Sequence, residues 1–185
     1  SLAAASTSSS ARFRSAAKSV DARNPLLKLR GGIANPAVAV PLRELAAETN
    51  FPVTSTLMGL GSYPASGKNW VGMLGMHGLY EANLAMHGCD TMINIGARFD
   101  DRITGRIKDF SPGSRKAHID IDPSSINKVI RVDIPIVGDI ASVLEEVLRQ
   151  WRARGSRTNK AGLAKWWAKI NEWRAVKCLT YKNST

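Results

Sequence analysis

The apolar positions fall into short runs broken by turn residues, and the runs alternate between strand-like and helix-like spacing. Residues 25–29 (PLLKL) form a compact apolar run ending at Gly31-Gly32, which predicts a strand and a tight turn. Pro41–Thr49 carries Leu42, Leu45 and Ala46 at helical spacing, with Pro41 suited to a first turn. Phe51–Thr56 reads as a β-branched strand, the glycine-rich stretch Gly59–Gly78 as a loop, and Leu79–Met86 as a helix. Strands follow at Thr91–Ile95, Lys116–Ile121 and Val129–Val137, the last running into Gly138-Asp139. Ile140–Trp151 sets Val143, Leu144, Val147, Leu148 and Trp151 on one helical face. Short strands alternating with helices predict an α/β fold, a parallel sheet with connections on both faces.

That core predicts a domain over 25–151 flanked by two different tails. Residues 1–24 are rich in Ser, Ala and Arg, with Asp21 the one acid. They have the composition of an organelle transit peptide or of a disordered leader, and are read here as the leader. Residues 152–160 read as a linker, followed by a helix over Leu163–Lys177. Its Leu163, Trp166, Trp167, Ile170 and Trp173 form an apolar stripe, with Lys165, Lys169, Arg174 and Lys177 mostly off it. Such a helix either rests on a membrane surface or partner, or packs against another domain; the second is expected.

Charge changes the picture only once it is divided along the chain. The net charge of +11 separates into +5 over residues 1–30, −3 over 31–148 and +9 over 149–185. The body is slightly acidic and the basic excess belongs to the tails, so binding to nucleic acid is not expected of the domain. A non-catalytic basic protein that engages nucleic acid or membrane through those tails remains the alternative. No apolar run approaches the ~20 residues of a membrane-spanning helix. Cys89 and Cys178 lie far apart without a CxxC spacing, which suits a reducing compartment and an expected cytoplasmic location.

In an open parallel α/β sheet, ligands sit beyond the carboxyl ends of strands. Four candidate features fall there: Thr56–Gly61 (TLMGLG), Gly96–Arg102 (GARFDDR), His118–Asp122 (HIDID) and Gly138-Asp139. Glycine admits close approach to the backbone, and arginine offers a rigid fork of donors to phosphate or carboxylate. An acid at a strand end accepts from ribose hydroxyls. Together they describe a cleft for a phosphorylated, ribose-containing cofactor. Other fingerprints fail. No GxGxxG follows a strand, and Gly61–Asn69 (GSYPASGKN) misses the Walker A pattern both in glycine spacing and at Asn69. His87 and Cys89 are expected to be structural rather than zinc ligands. Arginines at 98, 102 and 106 around Asp100-Asp101 suggest a salt-bridged loop.

The runs FPVTSTLMGLGSYPAS (Phe51–Ser66), MLGMHGLYEANLAMHGCD (Met73–Asp90), INIGARFDDRITGRI (Ile93–Ile107) and HIDIDPSSINKVIRVDIPIVGD (His118–Asp139) closely resemble acetohydroxyacid (acetolactate) synthase large subunits. The tail KWWAKINEWRAVKCLTY (Lys165–Tyr181) resembles the family's link towards its third domain. The resemblance implies the middle of three α/β domains, a Rossmann-like, three-layer doubly wound parallel sheet. It also implies an enzyme that condenses two 2-ketoacids with decarboxylation, in branched-chain amino-acid biosynthesis. Thiamine diphosphate, Mg2+ and a non-redox FAD are its implied cofactors. A homo-oligomer with a regulatory small subunit is its implied assembly.

Matched motif by motif, the implied FAD contacts are Gly31, Gly32, Thr56, Leu57, Met58, Leu74, Gly75, Met76, His77, Gly96, Ala97, Arg98, Asp100, Arg102, Asp120, Ile121, Gly138 and Asp139. Arg102 is further implied to bind the carboxylate of the second ketoacid, a role suited to a bidentate pair. Met76, Asp101 and Arg102 would line the channel taken by the family's herbicide inhibitors. Three departures stand out. Nothing before Gly31 resembles the domain that supplies the family's activating glutamate. Gly138-Asp139-Ile140 is not the GDG-type motif that holds diphosphate and Mg2+. Arg30 also replaces the first of three glycines, and residues 35–41 (NPAVAVP) look altered. The chain is therefore expected to be inactive alone, and to work with other domains or full-length subunits.

Overall fold

The computed structural model describes residues 22–30, 35–155 and 157–180. Gly31, Gly32 and most of the leader fall outside these residues. Among the described residues six strands form one sheet: β1 (Pro25–Leu29), β2 (Val53–Ser55), β3 (Trp70–Met73), β4 (Thr91–Ile95), β5 (Arg115–Asp120) and β6 (Ile134–Val137). Their order is β3-β2-β1-β4-β5-β6, and every pairing is parallel. The helices are α1 (Pro36–Thr49), α2 (Tyr80–Gly88), the single turn α3 (Asp101–Thr104), α4 (Ile140–Ala153) and α5 (Lys160–Arg174). Helix α1 packs against α4 and α2 against α5, and the two pairs cover the two faces of the sheet. The result is a three-layer, doubly wound, Rossmann-like domain.

Strand β1 is hydrogen-bonded on both edges and covered on both faces, so all five of its residues are buried. The chain winds outward from β1 to β2 and β3, then restarts on the other side with β4. This reversal opens a crevice at the carboxyl ends of β1 and β4. The strand expected over Val129–Val137 begins only at Ile134, and two further elements differ from the sequence expectation. The edge strand β3 lies inside the stretch read as a loop. It is short, it holds Gly72 at φ 109°, and its register with β2 shifts between Val53 and Thr54, so its β signal is weak. Helix α1 begins five residues early, because the Asn35 side chain accepts from Ala37 N at 3.0 Å and Pro36 takes the first turn. Pro41 therefore sits inside the helix, and the unusual NPAVAVP segment is a capped helix start.

Helix α5 packs on this domain: Leu163, Trp166 and Ile170 of the apolar stripe, expected to meet another domain, are buried here. Trp166 Nε1 donates to Pro25 O at 3.0 Å, and Trp167 Nε1 donates to Asn50 O at 2.9 Å. Arg174 donates to Trp70 O. One helix thereby ties the amino ends of β1 and β3 to the end of α1. On the other face, Arg152 of α4 bridges to Glu44 at 2.7 Å and Glu48 at 2.5 Å on α1.

The central strands also carry a polar row. Thr54, Lys28, Asn94 and His118 are register partners across β2, β1, β4 and β5, and none has accessible surface. The Lys28 ammonium has no hydrogen-bond partner among the described residues and stands 4.2 Å from the centre of the Phe99 ring. Burial pulls its pKa from the usual lysine value down to about 7, with the Asp100 carboxylate opposing the shift. Burial likewise lowers His118 to about 4, against the pull of Asp120. These shifts make Lys28 the most conditional charge in the core.

Two outcomes follow. Truncating Trp166 to Ala should cost about 3–5 kcal/mol in chemical denaturation, the range for emptying a buried aromatic site; a loss below about 1 kcal/mol would mean that α5 does not rest on β1. The second concerns pH. Between about pH 7 and about pH 10 the unfolded chain holds a proton on Lys28 that the folded chain lacks, so stability rises with pH, by up to about 1.4 kcal/mol per unit. Lys28→Met should flatten that rise and stabilise most below about pH 7. Equal pH slopes for the two proteins in urea titrations would show that the ammonium is solvated.

Candidate functional site

The reversal of winding places three loops around one cleft of about 410 Å³. It is lined by Arg30 at the end of β1, by Thr56, Leu57 and Met58 after β2, and by Met73 to His77 after β3. Arg98 and Asp100 to Ile103, after β4, close the opposite wall. The size is that of a small-molecule site.

Backbone hydrogen bonds hold the three loops in place. Thr56 N donates to Leu29 O at 2.9 Å, and Gly59 N returns to Thr56 O at 2.8 Å. Gly59 permits the turn to press on β1, since a Cβ there would stand 2.9 Å from Leu29 O. The Leu74–His77 loop is pinned from two sides. Asn83 of α2 accepts from Gly75 N at 2.8 Å and donates to Gly75 O at 3.0 Å, while Met76 N donates to Arg102 O at 3.1 Å. Gly75 adopts φ 107°, a conformation that side chains other than glycine's disfavour. The turn α3 is closed by Thr104 N donating to Asp100 O at 2.9 Å, and Asp101 Oδ1 accepts from Arg102 N at 2.9 Å.

The chemistry of the wall is divided. Leu57, Met58 and Met76 present exposed apolar side chains, an unusual density of them for a soluble surface. Arg30, Arg98 and Arg102 supply guanidinium forks, and Asp100 and Asp101 supply acceptors. The buried Thr56 hydroxyl lacks a hydrogen-bond partner among the described residues. An apolar wall facing three cations suits a ligand that joins a flat apolar part to a multiply charged anion. A smaller hollow of about 70 Å³ continues past Arg98 and Asp100 to Phe99, Ser125, Lys128 and Val129.

Of the residues named from the sequence, Thr56, Leu57, Met58, Leu74, Gly75, Met76, His77, Arg98, Asp100, Asp101 and Arg102 meet around the cleft. Gly96, Ala97, Asp120, Ile121, Gly138 and Asp139 do not line it. Gly96 and Ala97 are buried in the turn after β4, where Asn94 Nδ2 donates to Ala97 O. Asp120 Oδ1 accepts from Asp122 N at 3.0 Å, holding the turn after β5. Asp139 caps α4 by accepting from Ser142 N at 3.0 Å, the bond that holds its carboxyl below the usual range. Ile121 is exposed beyond β5.

Other expectations resolve similarly. The arginine–acid pair around Asp100-Asp101 is Arg106 with Asp109 at 3.8 Å, not a wider salt-bridged loop, among the described residues. Asn69, in the Walker-like stretch, is buried and donates to Phe51 O at 3.1 Å. Cys89 is structural: its thiol meets Ser111 Oγ at 3.4 Å, and burial pushes it up to about 11. No cluster of three His, Cys, Asp or Glu suited to a metal occurs among the described residues. Sequence reasoning missed Arg30, Met73, Ile103, Ser125 and Lys128 in the walls, and Asn83 behind them. A lone amide inside the otherwise apolar ANLAM stretch of α2 was the available signal for Asn83.

Residues 16–147 match the family model described as thiamine pyrophosphate enzyme, central domain. The acetolactate synthase large subunit of Haemophilus influenzae is 45% identical over 164 residues, which cover 89% of this chain and 28% of that protein. The acetolactate synthase isozyme 3 large subunit of Escherichia coli is 42% identical over 162 residues, 88% of this chain and 28% of that protein. An acetolactate synthase of Mycobacterium avium is 40% identical over 160 residues, 86% of this chain and 26% of that protein. The chain thus spans little more than a quarter of the length of these relatives. It belongs to the central-domain family of thiamine pyrophosphate enzymes.

Proposed function

We propose that this central domain is the flavin-binding part of an acetolactate synthase catalytic subunit. FAD would lie in the cleft, its isoalloxazine ring along Leu57, Met58 and Met76 and its diphosphate near the arginines. The observation that carries this reading is the meeting of three separate segments, Thr56–Met58, Leu74–His77 and Arg98–Arg102, around one cleft. The residues present fit the group. An orphaned Thr56 hydroxyl offers a donor, and three guanidinium groups offer the charge a diphosphate needs. Bound there, FAD would fill and order the cleft without exchanging electrons.

In the same reading, Arg102 holds the carboxylate of the second 2-ketoacid through a bidentate pair. Its backbone already fixes the Met76 loop, so the guanidinium would start from a positioned stem. Asp101 and Met76 stand beside it on the wall and would border the inhibitor channel. Thiamine diphosphate and Mg2+ would be held by other domains, and the chain would act only together with them, as one part of a homo-oligomer with a regulatory small subunit. A cytoplasmic location completes the proposal. The alternative of a basic interaction protein loses the apolar stripe of its last helix, because the face carrying Leu163, Trp166 and Ile170 is spent on the domain's own core.

Titration of FAD with the purified chain, followed by flavin fluorescence anisotropy, tests the reading. Saturable binding should weaken by about tenfold or more in Arg98→Ala, the loss of one charged contact of about 1.5–3 kcal/mol. A chain that is folded by circular dichroism yet shows no saturable binding would sink the flavin assignment. Formation of acetolactate by the chain alone would overturn its dependence on other domains.

A further inference from the structure

Lys28 does not line the cleft, yet it stands two residues before Arg30, which does. Arg30 follows directly after the end of β1, so the two α-carbons are only about 7 Å apart. Phe99 covers its ammonium at 4.2 Å, and Phe99 belongs to the loop whose Arg98 and Asp100 wall both hollows. Phe99 is itself clamped edge-on by Phe110 at 5.6 Å and by His118 at 5.3 Å. Phe99, which lines the smaller hollow, therefore covers a fully buried amine that has no hydrogen-bond partner among the described residues. In so dry a place, charges act on one another more strongly than in water.

The charges around Lys28 leave a gap that an anion would fill. The residue just past its own strand is Arg30, and the covering loop adds Arg98 and Asp100. Strand β4 supplies the neutral Asn94 and β2 the neutral Thr54. Strand β5 supplies His118, whose Nε2 stands 3.6 Å from Asp120 Oδ2, and Lys116, which bonds to Ser111 O at 2.9 Å and Ser114 O at 3.0 Å. On α2, Tyr80 and His87 are exposed and Glu81 faces Cys178 at 3.9 Å. Asp109 beyond Phe110 is turned outward to Arg106. Asp100 alone opposes the shift that burial imposes on Lys28.

We propose that Lys28 is a specificity determinant of the cleft, selecting ligands that carry negative charge by taking up a proton as they bind. The inference rests on the cleft holding a phosphate-bearing cofactor, and it names the residue that senses the phosphates. A diphosphate near Arg30 and Arg98 supplies the counter-charge that burial withholds. The ammonium form is thereby favoured, and its attraction adds to binding. A ligand without charge leaves the amine as it was and gains nothing from it. The burial of the amine, costly in the free protein, becomes the source of discrimination.

The test compares FAD with riboflavin, which has the ring but no phosphate, on the whole chain between about pH 6.5 and about pH 9. FAD should bind up to about tenfold more tightly at the lower pH, the most that about one unit of coupling between ligand and proton gives. Riboflavin should bind weakly and without that slope. Because His77 also lines the cleft, the decisive quantity is the slope of the wild type minus that of Lys28→Met, which should bind FAD more weakly at low pH and nearly evenly across the range. Calorimetry of the wild type in two buffers of different ionisation enthalpy should count a fraction of a proton taken up with FAD and none with riboflavin. Saturable FAD binding with no proton uptake, or the same slope in Lys28→Met or with riboflavin, overturns the role of Lys28 and leaves the cofactor assignment standing. A folded chain that binds neither flavin overturns both.

Discussion

The architecture depends on the enclosure of β1. Parallel pairing on both edges and helices on both faces leave no side of this strand open to water. Polar groups on it must then be satisfied inside the sheet or escape at the carboxyl end. Arg30 escapes, and becomes part of the cleft wall. Lys28, two residues earlier and inside the strand, does not, and has to be tolerated under Phe99. The winding reversal at β1 is what makes that end concave, so one strand sets both the position of the cleft and the electrostatics of its floor.

The walls are organised so that loops hold one another. Asn83 grips Gly75 from behind, and Arg102 grips Met76 from across the cleft. The loop after β3 is therefore fixed jointly by α2 and by the turn after β4, elements that arrive later in the chain. Rigidity of this kind matters for a site lined with exposed Leu57, Met58 and Met76, because such side chains alone would collapse into the hollow. Fixed backbone keeps the space open. Family membership is established through the central domain, and most of these wall residues lie in the motifs that resemble acetolactate synthase large subunits.

Much of the fold was legible because its strongest signals are local. Strands β1 and β4 coincide with their apolar runs, and α4 follows from a single well-spaced face. Strand β3 was not legible: four residues with a glycine among them say little until β2 lies alongside. The destination of α5 was hidden for a different reason. An apolar stripe announces that something covers it, and only the folded chain shows that the cover is the same domain's β1 and α2. In the site, motif residues such as Thr56 and Arg98 could be placed at strand ends from order alone. The row formed by Thr54, Lys28, Asn94 and His118 could not, since it exists only in the register between strands far apart in sequence. Asp120 and Asp139 carried the residue type expected of a ligand contact, and both use hydrogen bonds for turns and caps.

The two thiols of this chain differ in a way that has a practical use. Cys89 is sealed behind α2 with its proton held, whereas Cys178 is exposed beyond α5 and stands 3.9 Å from Glu81 at the start of α2. That turn leads directly out of the Leu74–His77 wall. A maleimide dye would therefore attach at Cys178 alone, without mutagenesis, a short way from the mouth of the cleft. Energy transfer between such a dye and a bound chromophore would report occupancy of the cleft in real time, in the unaltered sequence.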